Sequence, residues 1–379
     1  MSPSLRKPLL VLHTWGGIIS GLVLLTVALS GTVLIFRTQL ERRMDPRRFI
    51  VPAGAQRWSI DRLAARARAA HPAGDLLSVR YYGDPTMPLL VLFSTREYVH
   101  LNPYTGEVLG TRARYGEGFG WVEGLHKYLT LDPDTGTNVN GTFGFVFAGL
   151  FLTGLVLWWP ATRRALKAGL TVNRKLRGRP WHLNLHKTLG FYATAILLFS
   201  AVTGIFIAFD STRAALDVIT LSPARNIPGP IAGAGEQFAG FDAVARQIDR
   251  LMPHARETYI ARPKQGLVTS YAIAADAPHP NARSYVWLDG ATAGVVRFTP
   301  YARASRGYRL YYWLLSLHTA AAGGWVMKLL LLFGTLSVPV LAYTGVMSYL
   351  RRKSRQTATA PARPGAAGTN SMASPTPAK

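Results

Sequence analysis

Four long apolar stretches alternate with more polar segments along the chain, at residues 9–36, 143–159, 183–209 and 329–350. Each is close to the roughly 20 apolar residues that a helix needs to cross a bilayer. The first follows Arg6 and Lys7 as a signal sequence would, but it exceeds the about 7–15 apolar residues of such a sequence. The pattern therefore predicts four transmembrane helices, the first of them an uncleaved anchor.

The polar segments between spans carry the patterns of small α+β domains. In the first, a helix is predicted at 58–70 and strands at 76–82, 89–94, 98–101 and 107–109. In the second, a helix is predicted at 241–251 and strands near 258–261, 270–274 and 285–288. A helix followed by an antiparallel meander in each segment predicts two small α+β domains outside the membrane.

The chain also repeats itself. Leu-His opens the first and third spans, at His13 and His186, and Leu-His precedes the second and fourth spans, at His126 and His318. Each span contains a Ser-Gly or Thr-Gly pair, whose glycine allows helices to approach closely in lipid; the pairs begin at Ser30, Thr153, Thr203 and Thr344. This order and spacing predict two tandem repeats in the same orientation, each a helix, an outside domain, a short His segment and a helix.

Charge determines the predicted topology. The net charge is +24, but all 19 acidic residues lie between Glu41 and Asp134 or between Asp210 and Asp289. Short basic segments beside apolar spans are typical of the cytoplasmic side, so the excess charge reports topology and nucleic-acid binding is disfavoured. The predicted segments are a first span at 1–37, an outside domain at 38–142, a second span at 143–160, a basic cytoplasmic loop at 161–182, a third span at 183–209, a second outside domain at 210–328, a fourth span at 329–350, and a disordered cytoplasmic tail at 351–379.

The four repeated histidines predict two pairs, one at each face of the membrane. His13 and His186 lie at the cytoplasmic starts of two spans, and His126 and His318 lie outside, just before the other two. Two facing imidazoles are the ligands of a six-coordinate b-type haem, and helical bundles supply that geometry. Glycines four residues further on, Gly17 and Gly190, share a helix face with His13 and His186 and would leave room for a flat macrocycle.

Two alternatives remain open at this point. A histidine at a membrane boundary can be an interfacial hydrogen-bonding residue instead of a ligand. His182 lies one turn before His186 and could replace it as the ligand, although its counterpart in the first repeat is Leu9. The other histidines, at positions 71, 100, 254 and 279, have no counterparts and are predicted to be surface residues.

Two absences narrow the chemistry. There is no cysteine, which excludes disulfides, thiol catalysis and Cys-ligated zinc or iron–sulfur centres. No Asp or Glu lies inside a predicted span, whereas proton- or ion-coupled transporters usually place ionisable groups there. Electron transfer between two haems at opposite faces needs no such charge, and this pattern favours it over transport.

Three motifs resemble the PepSY-associated transmembrane helix family. They are the Leu-His-x-x-x-Gly starts at His13 and His186, the Gly-Leu-His-Lys-Tyr-Leu segment at 124–129, and the Leu-Asn-Pro-Tyr-Thr-Gly-Glu-Val-Leu-Gly turn at 101–110. Within this family the chain most resembles inner-membrane ferric-siderophore reductases. The resemblance implies periplasmic PepSY-type domains, haem iron held by His13, His126, His186 and His318, and electrons moving outward from a cytoplasmic or membrane donor to Fe(III).

The turn at 289–294 departs from the family's pattern, since Asp-Gly-Ala-Thr-Ala-Gly stands in place of the fuller motif. PepSY domains also occur in peptidase inhibitors and sensors. Besides the reductase, the sequence therefore leaves open a haem-free sensor or assembly protein and a siderophore permease. The identity of the siderophore and of the electron donor, and the occupancy of both haem sites, do not follow from the sequence.

Overall fold

The computed structural model describes residues 3–223, 227–231 and 237–358. In the first half of the chain the elements are α1 (Pro3–Ile35), α2 (Arg37–Met44), α3 (Pro46–Phe49), α4 (Ile60–Ala70), β1 (Leu76–Tyr82), β2 (Leu89–Phe93), β3 (Glu97–Leu101), β4 (Val108–Ala113), α5 (Gly118–Tyr128) and α6 (Pro133–Trp158). A short helix, α7 (Arg163–Leu170), lies in the basic connection. The second half contains α8 (Gly178–Ala208), α9 (Asp210–Ile219), α10 (Phe241–Leu251), β5 (Glu257–Ala261), β6 (Leu267–Ile273), β7 (Ser284–Asp289), β8 (Val295–Thr299), α11 (Arg306–His318) and α12 (Gly324–Ala358).

Four helices, α1, α6, α8 and α12, are long and apolar enough to cross a membrane. The four predicted spans are thereby confirmed. Every helix starts earlier than its apolar stretch, and α6 includes a polar segment that precedes its apolar stretch. The early start of α6 has a local cause: Asp132 accepts a hydrogen bond from the Thr135 N–H, and Pro133 occupies the first helical position.

The four long helices form a ring in which α1 contacts α6 and α12, and α8 contacts the same two helices. Small and branched side chains meet inside this ring, with Ala28, Ala193, Leu197 and Val338 all buried. In lipid, close approach through small residues and van der Waals packing holds such helices together. The arrangement leaves α1 and α8 diagonally opposite one another, and these helices carry His13 and His186.

The strands form one antiparallel sheet of eight strands in the order β4-β3-β2-β1-β5-β6-β7-β8. Strands β1 and β5 pair directly, with Val79 opposite Ile260. Helices α4 and α10 cover one face, and a single core contains buried side chains from both segments, such as Leu63, Phe93 and Ile248. The expectation of two separate small domains is therefore corrected: the segments share one sheet and one core, because each alone has an open edge at β1 or β5.

The two helices that cover the sheet also cap each other. The Asp61 carboxylate on α4 accepts hydrogen bonds from the backbone N–H groups of Phe241 and Asp242 at the start of α10. The Asp242 carboxylate accepts from the N–H groups of Ile60 and Asp61 in return. Each helix thus receives at its N-terminus the negative charge that its unpaired N–H groups and its dipole favour.

Some observed elements differ from the predicted ones. Strand β8 and helices α2, α3, α7 and α9 were not predicted, and β4 ends four residues after its predicted end at 109. Helix α12 continues to Ala358, so the predicted tail starts as a helix; the rest of that tail, residues 359–379, lies outside the described residues. The other strands and the helices α4 and α10 begin and end within three residues of their predicted positions.

Candidate functional site

The first pair of repeated histidines meets in the helix ring. His13 of α1 and His186 of α8 face each other with their ring centres 6.2 Å apart and their planes at 81°. Both rings are half-buried. We call this pair the inner level, since it lies at the end of the ring away from the sheet.

The second pair meets at the other end of the ring. His126 of α5 and His318 of α11 have ring centres 6.3 Å apart and planes at 49°. Tight turns with left-handed residues, Leu129 after α5 and Ala320 after α11, connect these short helices to the spans that follow, and α5 packs against α1 and α6 while α11 packs against α8. Burial lowers the pKa of His126, and burial together with the neighbouring His126 lowers the pKa of His318 to about 4, so both are neutral at pH 7. This pair is the outer level.

Each of the four histidines rests in a socket formed by a Ser-Gly or Thr-Gly pair of a neighbouring helix. The Nδ1 atoms lie 3.1 Å from the Thr153 hydroxyl for His13, 3.3 Å from Ser30 for His126, 3.2 Å from Thr344 for His186 and 2.8 Å from Thr203 for His318. These pairs were interpreted from the sequence as helix-packing positions only. Their function as histidine sockets was missed, although their fixed spacing from the histidines was the available signal.

The sockets determine which ring nitrogen carries the proton. His126 Nδ1 lies 2.9 Å from the Val27 carbonyl, and His186 Nδ1 lies 3.0 Å from the Leu341 carbonyl. Beside His13 and His318 the partner of Nδ1 is the socket hydroxyl itself, which donates its own proton to a carbonyl of its helix. In every socket the hydroxyl donates to a carbonyl of its own helix, as Ser30 does to Thr26.

Because a carbonyl can only accept, Nδ1 must be the donor, and the neutral ring then carries a lone pair on Nε2. Within the described part of the chain, no hydrogen bond reaches the Nε2 atom of any of these four residues. Fixing one nitrogen by an outer partner while the other stays available is how proteins orient a metal-binding imidazole.

The glycine of each pair gives the ring its space. A Cβ atom at Gly31 would lie 3.1 Å from His126 Cε1, and one at Gly154 would lie 3.1 Å from His13 Cε1. The corresponding distances are 3.3 Å for Gly345 to His186 and 3.6 Å for Gly204 to His318. Any side chain at the first three positions would press on the imidazole.

The ring separations fit a metal between the rings. Two metal–imidazole bonds of about 2 Å each, with about 1 Å from each nitrogen to its ring centre, require roughly 6 Å between ring centres. Both pairs meet this requirement. Among the described residues there is no group of three or more His, Asp or Glu side chains that could hold a metal ion.

The two levels are well separated. Along α1, the socket residue Ser30 follows His13 by 17 positions, and along α8 Thr203 follows His186 by the same number. At 1.5 Å per residue, this places the levels about 25 Å apart, close to the thickness of a bilayer's hydrocarbon core.

The auxiliary residues lie beside the inner level. Gly17 and Gly190 face Leu150 and Leu341 of the adjacent helices in ordinary van der Waals contact. His182 is buried one turn before His186, 5.5 Å from the Tyr343 ring, and its Nδ1 has no hydrogen-bond partner among the described residues. The structure pairs His13 with His186, and it gives His182 neither a socket nor an opposing imidazole.

Two of the remaining histidines are not surface residues. His100 and His279 are both buried, which corrects the expectation from the sequence. His279 lies between the Tyr301 and Ser316 hydroxyls, at 2.7 Å and 2.8 Å. His254 is exposed as expected, and His71 is partly buried.

The family model described as PepSY-associated TM region matches residues 10–352 of this chain. The chain belongs to the PepSY-associated transmembrane family. With its four long apolar helices, this family member is a membrane protein. All four sockets and their histidines lie inside the region that matches the PepSY-associated family. No curated protein matches the chain.

Proposed function

We propose that this protein is a membrane-bound reductase that holds two b-type haems and reduces ferric siderophores on the periplasmic side of the bacterial inner membrane. The electrons come from a donor in the cytoplasm or the membrane, and the siderophore's Fe(III) gains one electron to become Fe(II). Fe(II) binds hard oxygen donors less tightly than Fe(III), so reduction favours the release of iron.

One observation carries the proposal: four imidazoles stand in two facing pairs, each with Nδ1 donating and Nε2 available. His13 and His186 would bind the inner haem, and His126 and His318 the outer one. Haem supplies one-electron Fe(III)/Fe(II) chemistry when it is bound. The chain's own part is to fix the four rings, and the sockets of hydroxyl, carbonyl and glycine do this.

The topology of the proposal follows from charge. The N-terminus, the α7 connection and the C-terminal end of α12 are basic and hold no acidic residue, which favours the cytoplasm for all three. The sheet then lies in the periplasm next to the outer level. We also infer that the two halves are tandem repeats, because their elements follow the same order and their sockets have the same composition.

Absorption spectroscopy of the purified protein tests the haem assignment. We expect a sharp α band after reduction with dithionite and two haems per chain by the pyridine haemochrome assay. Replacing His13 or His186 with Ala should remove the inner haem only, and replacing His126 or His318 should remove the outer haem together with ferric-siderophore reduction. His254→Ala is the matched control, because this histidine is exposed and belongs to neither level.

A colourless protein from haem-replete cells, with all four histidines present, would exclude the reductase and leave a haem-free sensor or a permease. Full haem content in all four single variants would refute the ligand assignment. Uptake of the intact ferric chelate into vesicles without reduction would instead identify a permease.

A further inference from the structure

A cavity of about 360 Å³ opens on the sheet face opposite α4 and α10, beside the outer level. We call it the arginine cavity, after its lining side chains: Arg37, Arg42, Arg80, Arg112 and Arg114, with Glu41, Glu123, Tyr98 and His100. Small-molecule sites occupy about 300–1,000 Å³, so the cavity has the volume of a small ligand.

The arginines outnumber the carboxylates that can neutralise them. Glu41 pairs with Arg37 and with Arg112, at 2.9 Å and 2.8 Å, and Glu123 also pairs with Arg37. Among the described residues, no carboxylate lies within ion-pair distance of Arg42 or Arg114. Arg80 has only Glu257, at 3.6 Å. The cavity therefore has a surplus of positive charge.

The cavity also contains an unsatisfied buried group. His100 is fully buried, and neither of its ring nitrogens has a hydrogen-bond partner within the described residues. Burial and the nearby Arg112 and Arg48 lower the pKa of His100 to about 4, so the ring is neutral at pH 7. A buried polar ring without partners costs free energy unless something that binds there satisfies it.

The second half of the sheet shows that this lining is not a requirement of the fold. Leu101 and Leu288 pair with Val108 and Val295, which fixes the correspondence between the two halves. By this register, the positions of Arg80, His100 and Arg112 are occupied in the second half by Ala261, Trp287 and Thr299. There, Tyr259, Tyr271 and Tyr285 fill the same face with packed rings.

The arginine cavity lies next to the outer histidines. Glu123, one of its lining residues, is three residues before His126 on α5 and therefore lies on the same side of that helix. Arg37, which pairs with Glu123, is the first residue of α2. It lies just beyond the end of α1, the helix that carries the socket residue Ser30. The wall of the cavity that Glu123 forms thus lies within about one helical turn of His126.

We propose that the arginine cavity binds the iron chelate and selects chelates with net negative charge, whose carboxylates pair with its arginines. Arginine is suited to this because its planar guanidinium binds carboxylates through two parallel hydrogen bonds. This inference rests on the proposed function for the identity of the metal. The selection for anions follows from the cavity alone.

Binding of ferric citrate to the full-length protein tests the inference without any turnover. We expect saturable binding by isothermal titration calorimetry that weakens steeply with salt, and much weaker binding of an uncharged ferric trihydroxamate. Arg42→Gln combined with Arg114→Gln should weaken ferric citrate binding by about tenfold or more, as lost charged hydrogen bonds do. Arg80→Ala, which installs the residue found in the second half, should have a similar effect.

Arg66→Gln combined with Arg68→Gln is the charge-matched control, because these two exposed arginines lie on α4, across the sheet from the cavity. Binding that is equal for the two chelates, or unaffected in both cavity variants, would overturn the inference. So would loss of binding in nanodiscs with phosphatidylglycerol but not with phosphatidylcholine, since a lipid headgroup would then be the occupant. A colourless protein that still binds ferric citrate would contradict the proposed reductase and still support the anion site.

Discussion

Each histidine is oriented by a glycine and a neighbouring serine or threonine that belong to another helix. The hydroxyl of Thr153 accepts from His13, while Gly154 lets the imidazole lie flat against α6. A one-carbon side chain is enough to disturb this contact, because a Cβ atom at 3.1 Å from the ring is closer than ordinary van der Waals contact. The glycine next to each socket hydroxyl is therefore as constrained as the histidine that packs against it.

Gly154→Ala should therefore displace His13 and weaken the inner haem. Overpacking costs about 1–3 kcal/mol, which corresponds to about 5- to 150-fold in affinity. Haem content by pyridine haemochrome should fall towards one per chain, with the outer haem retained. Gly149→Ala on the same helix is the control, since a Cβ there meets nothing within 4 Å. Equal haem content in the two variants would show that the socket does not need its glycine.

At the scale of the element, much of this protein was predictable. Hydropathy identified the four spans because lipid offers the backbone no hydrogen-bond partner, so an apolar helix is almost the only solution. Period-two patterns identified most strands. Strand β8 was missed because it is an edge strand whose Val295 and Val296 are exposed, so it lacks the alternation of a half-buried strand.

The sockets could not be predicted, for a physical reason. His13 and Thr153 are 140 residues apart, and His318 and Thr203 are 115 apart. Such contacts depend on how helices pack in three dimensions, which hydrophobic periodicity does not encode. The histidines themselves were found because they repeat at fixed distances from the Gly pairs. The function of those pairs as histidine sockets becomes visible only when the four helices are packed in a ring.

Helix α11 shows how a short element is held in place. Ser316, two residues before His318, lies 2.8 Å from His279 Nδ1 and accepts a hydrogen bond from Asn281. His279 Nε2 lies 2.7 Å from the Tyr301 hydroxyl, so the ring fastens α11 to the connection between β6 and β7. Burial lowers the pKa of His279, so the ring is neutral at pH 7, with one donor and one acceptor.

His279→Ala should loosen α11 and with it the outer level. The change removes one hydrogen bond each from the buried Ser316 and Tyr301 hydroxyls, which keep Asn281 and the Arg309 carbonyl as partners, and it costs about 1 kcal/mol per lost bond. We expect a lower apparent Tm and a shifted or broadened α band of the outer haem, with the inner haem unchanged. An identical spectrum and Tm would mean that α11 is fixed by its apolar contacts alone. His71→Ala, at a partly buried histidine far from α11, controls for the loss of an imidazole.

At the scale of the whole molecule, two similar halves build an asymmetric protein. The sheet lies at one end of the helix ring only, since both sheet segments connect spans at that end. The outer level therefore lies between the ring and the sheet, and the arginine cavity lies in the first half of the sheet. Separate domains were expected because each segment carries a helix and a meander of its own. The β1–β5 pairing that unites them is a contact between edges, and it leaves no mark in either segment's pattern.

The reciprocal caps at Asp61 and Asp242 are the polar counterpart of that pairing. Each carboxylate accepts two backbone N–H groups from the other half, so removing Asp61 leaves α10 without a side-chain cap, and removing Asp242 leaves α4 with its Ser59 cap alone. Asp61→Ala and Asp242→Ala should each cost about 1 kcal/mol of stability. If the aspartates act as one unit, the double variant should lose less stability than the sum of the two single losses, because either single change already disturbs the shared contact.

Apparent Tm values measured for the wild-type protein, both single variants and the double variant complete the cycle. The haem spectra should stay unchanged, since the caps lie on the sheet face away from the outer level. Asp75→Ala is the control, because this exposed carboxylate caps neither helix. Strictly additive losses would show that α4 and α10 are stabilised independently and that the β1–β5 pairing and the shared core join the two halves without them.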